Sequence, residues 1–368
     1  MKLRYKILIG VGAVFMLGVS ALAITVSYDS PCSPAPPLAA GAKPIRAVMQ
    51  RCYGVPDGLR LESIAKPVAG DGQVLIKVHA SSVNPADWYG VSGQPRMMRL
   101  ANGIGAPERK RVGYDFAGTV ESVGPNVTSF KPGDEVFGGA GGAFAEYVLA
   151  REMGDFVRKP ENMTFEEAAA IPIAAITALQ ALRDQGHVAS GQKVLINGAS
   201  GGVGTYAVQI AKSFGAEVTG ICSTRNVEMV RALGADHVID YTKEAFTNGT
   251  ERYDVILDIV GNHDFSDMGN VMKPDGIIVI IGAPKKGALL GPIKRVISSK
   301  VAEHFVDQKL TFFVADVIKA DLEVLATLVR EGKMKSVIDR RYPLDETGAA
   351  LEYLGEGHAR GKVIVTVN

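Results

Sequence analysis

Residues 194–204, VLINGASGGVG, constrain this chain more than any other stretch. An apolar strand runs into a loop with four glycines and no side chain larger than valine. Glycines weaken a fold unless something must approach the backbone closely. The run Ala199-Ser200-Gly201-Gly202-Val203-Gly204 follows a strand and opens a helix, the setting in which a dinucleotide fingerprint has meaning. Gly201 lets the backbone approach a pyrophosphate, and Gly204 permits close helix–strand packing. The helix N-terminus offers unpaired N–H groups and a partial positive charge.

The surrounding pattern agrees. Thr164 and Glu167 form a capping box ahead of AAAIPIAAITALQAL. Strands then alternate with helices: KVLING, helix 202–214, EVTGICS, helix 226–234, HVIDY, YDVILDIV, helix 265–273, GIIVIIG and LTFFVA. The strands are apolar throughout, as in a doubly wound parallel sheet buried on both faces. The spacing Gly198-x-x-x-Gly202-x-Gly204 also fits short-chain dehydrogenases. Those enzymes need Tyr-x-x-x-Lys, and none of the 11 tyrosines has a lysine four residues on.

An acid at the end of the second strand would bind the ribose 2′-hydroxyl of NAD. Residues 218–227, VTGICSTRNV, contain none. Ser223, Thr224 and Arg225 suit a 2′-phosphate instead, so NADP(H) is the expected cofactor.

Upstream, residues 46–150 read as many short strands with turns and no long helical pattern, an irregular β-barrel or sandwich. Helix 320–331 and the strands SVIDRRYPL and KVIVTV have the same texture, so the C-terminus is expected to return to that first domain.

The first 45 residues stand apart. Lys2, Arg4 and Lys6 precede residues 7–26, which carry no charge. At about 1.5 Å per residue such a helix spans roughly 30 Å, the hydrocarbon thickness of a bilayer. A single-pass membrane anchor within residues 1–29 is expected. The alternative is a cleaved signal segment with Ala21-Leu22-Ala23 as its cleavage site. Residues 30–45 follow as a stiff Pro/Ala-rich linker. Positive charge before the span places the remainder outside, whereas a phosphorylated cofactor is plentiful inside, so the side stays open.

Composition excludes other classes. Net charge is +1, and no block of five like charges is present, which argues against nucleic-acid binding. The three cysteines, Cys32, Cys52 and Cys222, suggest neither a disulfide framework nor a four-cysteine zinc lobe.

Seven segments together carry a resemblance: ASSVNPADWY, VGYDFAGTVESVG, FKPGDEVFG, GAFAEYV, LINGASGGVG, LGADHVIDY and GKVIVTV. Over residues 46–368 the chain resembles the medium-chain dehydrogenase/reductase superfamily, in particular its zinc-free quinone oxidoreductase branch. The resemblance implies an α/β protein with a GroES-like catalytic domain (46–171 and 316–368) split around a Rossmann NADP-binding domain (172–315). The active site would lie in the cleft between them. Zinc-dependent relatives carry ligands at positions matching Asn84, Tyr114 and a place near Ile173. Amide, phenol and alkyl groups do not make a zinc site, so no metal is expected.

By the same resemblance Asn84 and Tyr89 line the nicotinamide and substrate side, with Tyr89 the best proton donor. Thr177 matches a residue at the nicotinamide ribose, and Tyr241 one beside the 2′-phosphate. Gly261, Asn262, Gly282 and Ala283 sit at the carboxyl ends of the fourth and fifth strands, where ligands bind in such sheets. Lys362 is either a cleft residue or a solvated turn, and Asp115 a structural acceptor.

The implied chemistry is hydride transfer from NADPH to a small apolar electron acceptor, a quinone or an alkene conjugated to a carbonyl. A membrane-anchored NADPH-binding protein without catalysis, a sensor or scaffold, is the other class. Finally, Ile293, Val296, Ile297, Val301 and Phe305 recur at helical spacing among Lys285, Lys286, Lys294, Arg295 and Lys300. This reads either as a helix packed on the domain or on a second subunit of a homodimer, or as a basic amphipathic helix on the membrane surface.

Overall fold

The computed structural model describes residues 16–282, 292–303 and 308–367. A helix over 16–27 (α1) leads into a two-stranded antiparallel sheet, β1 (Pro44–Gln50) and β2 (Leu59–Ala65). There follow β3 (Gln73–Val83), α2 (Pro85–Ser92), α3 (Arg99–Asn102), β4 (Asp115–Val123), β5 (Glu135–Gly139), β6 (Tyr147–Arg151) and β7 (Phe156–Arg158). Next come α4 (Phe165–Ala169), α5 (Pro172–Gln180), β8 (Lys193–Asn197), α6 (Gly202–Ser213), β9 (Glu217–Cys222), α7 (Val227–Ala232) and β10 (His237–Asp240). The chain continues through β11 (Tyr253–Asp258), α8 (Phe265–Gly269), β12 (Met272–Ile280), α9 (Pro292–Ala302) and β13 (Lys309–Phe312). It closes with α10 (Lys319–Arg330), β14 (Ile338–Pro343), α11 (Thr347–Glu356) and β15 (Lys362–Thr366).

The six strands β10-β9-β8-β11-β12-β13 form a parallel sheet in that order. Counted along the chain this is 3-2-1-4-5-6, with the reversal between β8 and β11, where such sheets bind ligands. Val194, Leu195 and Ile196 of β8 have no exposure, which explains the unbroken apolar run. The other large sheet runs β14-β15-β3-β4-β5-β7, with β6 also paired to β3. The C-terminal strands thus belong to the sheet built from residues 73–158. Together these sheets make an α/β fold with GroES-like and Rossmann-like parts.

Three expectations change. The helical run after Thr164 is broken: its capping box is present, but α4 stops at Ala169 and α5 restarts with Pro172 at its first turn. Proline there lacks the N–H that a continuing helix needs. Second, α2 interrupts the all-strand stretch. Asn84 caps it, Pro85 begins it, and Asp87 closes a capping box. That start signal is present in Asn-Pro-Ala-Asp, but the flanking strand texture masks it. Third, Cys32 and Cys52 are disulfide-bonded, although three scattered cysteines suggested no pairing. Only Cys222 is free, and it is buried.

Of the expected N-terminal span, residues 7–15 lie outside the described residues. Among the described residues no helix is long and apolar enough to cross a membrane.

Candidate functional site

The glycine loop sits at the carboxyl end of β8 and begins α6. Glycine is required at Gly204, because a Cβ there would lie 2.1 Å from the Gly198 carbonyl oxygen and 2.7 Å from Ala199 Cα. Gly198 has φ +96°, which favours glycine for a second reason. At Gly201, by contrast, a Cβ would meet only the Gly198 oxygen at 3.5 Å. On its Cβ side Gly201 is therefore open, while its backbone is bridged to Gly361. Ala199 is fully buried, while Ser200, Gly201, Gly202 and Val203 remain partly exposed.

Ser200 and Ser223 are brought together by Asn226, whose Nδ2 donates to both hydroxyl oxygens at 3.1 Å. Among the described residues Asn226 Oδ1 is buried with no partner. The glycine cradle at the start of α6 offers backbone N–H groups that suit a pyrophosphate, and the two hydroxyls held by Asn226 suit the polar groups of a dinucleotide.

Beyond β9, Arg225 is exposed and donates Nη2 to the His358 carbonyl at 2.9 Å. Thr224 departs from expectation. Its hydroxyl donates to Asp240 Oδ2 at 2.6 Å, so it is engaged within the protein rather than directed to a phosphate. Asp240, from the neighbouring strand β10, also accepts from Thr242 and pairs with Lys243. These hydrogen bonds, led by that of Thr224, hold its carboxyl well below the usual range. Tyr241 next to it presents an exposed ring.

At the ends of β8 and β11 a second network forms around Asp258, which has no exposure. It accepts from Asn197 Nδ2 (3.0 Å), the Gly261 N–H (2.9 Å) and Arg295 Nη2 (2.7 Å). Asn197 also donates to Asn262 Oδ1, and the Gly282 N–H to the Asp258 carbonyl. Gly261, Asn262 and Gly282, expected at these strand ends, lie in this network, and Asn197, Asp258 and Arg295 join them with no local sequence signal. Ala283 lies outside the described residues. Arg295 corrects the membrane-helix expectation for α9: it faces the domain, bound to Asp258 and stacked 4.0 Å over Phe265. Ile297 of the expected apolar stripe is exposed, whereas Ser299 is buried. Phe305, Lys285 and Lys286 lie outside the described residues.

A third cluster sits where β3, β4, α5 and β15 meet. Asn84 is 1 % exposed, and its Nδ2 donates to Asp115 Oδ2 at 2.8 Å. Asp115 also accepts from Ser82 Oγ and from the Ile173 N–H at the start of α5. Lys362 is buried rather than a solvated turn. Its ammonium donates to Asn84 Oδ1 at 2.5 Å and to the Val83 carbonyl, and lies 3.8 Å from Asp115. Burial lowers the Lys362 pKa and raises that of Asp115, and their mutual attraction opposes both shifts. Asn84 and Ile173, two of the positions matched to zinc ligands, therefore converge on Asp115, with an ammonium beside them. Among the described residues no His, Cys, Asp and Glu group could hold a metal.

Lys362 also joins this cluster to the glycine loop. Its neighbour Gly361 donates its N–H to the Ser200 carbonyl at 2.9 Å, and the Lys362 stem lies against Gly202. Both side-chain polar atoms of Asn84 bond within this network. Tyr89, on α2, is half-buried, and burial pushes its phenol pKa up. Thr177 on α5 donates its hydroxyl back to the Ile173 carbonyl at 2.7 Å.

Asp87 accepts the Asn84 N–H, and burial together with the Asp115 charge pushes its pKa up to about 7. An unfolded aspartate titrates near 3.9. Between these values the folded chain keeps a proton that the unfolded chain has lost, so this group's contribution falls as pH rises towards 7. Asp87→Asn keeps the acceptor and removes the charge. Its thermal stability relative to the parent is expected to improve from pH 5 to pH 8, by on the order of 1 kcal/mol for a partly exposed group. Equal differences at both pH values would show that Asp87 titrates normally.

Comparison with known proteins agrees with this geometry. Residues 70–161 match the alcohol dehydrogenase GroES-like domain, and residues 233–365 match the zinc-binding dehydrogenase family. The chain is 34% identical over 323 residues to the chloroplast envelope quinone oxidoreductase homolog of Arabidopsis thaliana, covering 84% of this chain and 94% of that one. It is 35% identical to 2-methylene-furan-3-one reductase of Solanum lycopersicum, covering 85% and 76%. The structure of the quinone oxidoreductase from Coxiella burnetii superposes with a TM-score of 0.76 at 33% identity, covering 89% of this chain and 100% of that one. With its split sheet, glycine cradle and these relatives, the chain belongs to the medium-chain dehydrogenase/reductase superfamily and is an NAD(P)-dependent oxidoreductase.

Proposed function

We propose that this protein is a zinc-independent, NADPH-dependent reductase of quinones or of alkenes conjugated to a carbonyl, held on a membrane by its N-terminal segment. The observation that carries the zinc-free reading is the Asn84–Asp115–Lys362 cluster. The positions matched to zinc ligands hold an amide, a phenol and an alkyl chain, and the cation beside them is an ammonium.

In this reading the α6 N-terminus, with Gly201, Gly202 and Gly204, holds the pyrophosphate. Ser223 and Arg225 meet the 2′-phosphate, with Tyr241 beside it. Thr177, Gly261, Asn262 and Gly282 border the nicotinamide end. The cofactor, when bound, supplies the hydride. The reduced acceptor then needs a hydrogen-bond and proton donor where its negative charge develops. Tyr89 suits that role as a half-buried phenol on α2, since a tyrosine is protonated at neutral pH and can donate a hydrogen bond. Asn84 acts as a positioning residue, fixing the start of α2 and hence Tyr89. The relatives described above, quinone oxidoreductases and a 2-methylene-furan-3-one reductase, support both acceptor classes.

The test is oxidation of NADPH and NADH against quinones and enones, with and without chelator. NADPH should be preferred and chelator should have no effect. Arg225→Ala should weaken NADPH binding by about 1–3 kcal/mol, the scale of a lost charged hydrogen bond, and leave NADH binding unchanged. Equal affinity of the parent for both cofactors, or activity lost with a stoichiometric metal, sinks the reading.

Localisation follows from two features. Lys2, Arg4 and Lys6 precede the apolar segment, and the Cys32–Cys52 disulfide follows it. Both favour the folded part on the oxidising side of the membrane. Alkylation of the denatured, unreduced chain taken from its native membrane should then block one thiol, that of Cys222. Three blocked thiols would place the fold in a reducing compartment.

A further inference from the structure

The residues after α1 do not form a free leash. Arg99 is only 4 % exposed, and its Nη1 donates to the carbonyls of Val26 and Tyr28 and to Asp29 Oδ1. Its Nε donates to the Gly93 carbonyl, and its guanidinium stacks 4.4 Å over Tyr53. Ser30 then donates its N–H to the Gly105 carbonyl at 2.8 Å, and Cys32 is bonded to Cys52. Val26 is fully buried, yet the side chains of Met16, Leu17, Val19, Leu22 and Ile24 on the same helix are exposed. The helix therefore stands off the body and is clamped at its root. The Pro/Ala-rich stretch of residues 30–45, expected to space it from the domain, is itself tied down at Ser30 and Cys32.

A rigid clamp makes orientation a matter of geometry. If residues 7–27 enter a bilayer, whatever surrounds the clamp must face that bilayer. Segment 93–105 surrounds it, and there Met98, Leu100 and Ile104, with Tyr28, are exposed apolar side chains. Glu108 and Arg109 stand exposed just beyond, as does Asp29 in the clamp. Apolar side chains bordered by charged ones of both signs suit the boundary with zwitterionic lipid headgroups. The same segment continues directly from α2, which carries Tyr89.

We propose that segment 93–105 is a membrane-contact surface: it rests on the lipid bilayer that the N-terminal helix enters and holds the Tyr89 side of the enzyme against it. This rests on the anchored-reductase reading and adds the face presented to lipid. An apolar acceptor dissolved in the bilayer would then reach the α2 side with little passage through water.

The experiment uses the full chain reconstituted in vesicles of phosphatidylcholine and phosphatidylglycerol. Leu100→Cys, Ile104→Cys and, as a control on the turn between β6 and β7, Met153→Cys each carry one environment-sensitive fluorophore. The native cysteines are paired or buried, so the introduced thiol takes the label. Met153 is as exposed as Leu100 or more so. The expected result is co-flotation, with emission at 100 and 104 shifted to the blue and quenched by nitroxide-bearing lipid, and emission at 153 unchanged. Co-flotation with all three labels reporting water overturns the contact surface while leaving the anchor standing. Failure to co-float overturns the anchor reading itself. A blue shift that lipid nitroxide does not quench assigns the face to a second copy of the chain and equally overturns the proposal.

Discussion

Lys362→Met is expected to destabilise the protein by about 3–5 kcal/mol, the cost of removing one partner from a buried charged pair. The side chain keeps nearly its volume, so packing against Gly202 survives. What disappears is the ammonium that donates to Asn84 Oδ1 and the Val83 carbonyl and faces Asp115. Asp115 then keeps a buried carboxylate with no nearby cation, or takes up a proton. Thermal or denaturant unfolding measures the loss. The double substitution Lys362→Met with Asp115→Asn should recover part of it, because both charges then leave together, but not all, because an amide NH2 cannot accept the hydrogen bonds that Ser82, Asn84 and Ile173 give to the two Asp115 oxygens. A single Lys362→Met variant as stable as the parent would show that the ammonium does not hold this junction.

Gly204→Ala is the second large effect. Its methyl would sit 2.1 Å from the Gly198 oxygen and 2.7 Å from Ala199 Cα. Both are backbone atoms, so no flexible side chain can yield. The loop or α6 must shift, at a cost of about 1–3 kcal/mol or more, and the cofactor cradle shifts with it. Gly201→Ala is the matched control. Its methyl meets only the Gly198 oxygen at 3.5 Å, an ordinary contact, so the melting temperature should hold while NADPH affinity falls. Melting curves and a fluorescence titration with NADPH separate the two. If Gly201→Ala binds NADPH as the parent does, the pyrophosphate does not lie on that backbone.

The sequence by itself determined whatever is written in local pattern. The unbroken apolar strands, the helix starts and the glycine spacing lie in contiguous residues. Periodicity and close packing act over a few positions, so the parallel sheet and its loop were legible without coordinates. Thr164 with Glu167 was readable for the same reason, as was the return of KVIVTV to the first sheet. Only the tertiary structure decided which distant groups meet. Lys362 comes within 2.5 Å of Asn84 across 278 positions of sequence, because β15 pairs with β3. Asp240 reaches Thr224 because β10 lies beside β9, and it takes a hydroxyl that sequence alone left to a phosphate. Arg295 turns inward because Asp258 is buried at the strand end and draws a counter-charge, which no helical stripe records. The Cys32–Cys52 bond and the Arg99 clamp likewise join segments with no shared motif. Hydrogen bonds and ion pairs between remote residues depend on where strands and loops come to rest in space, and a single sequence carries no local pattern for them.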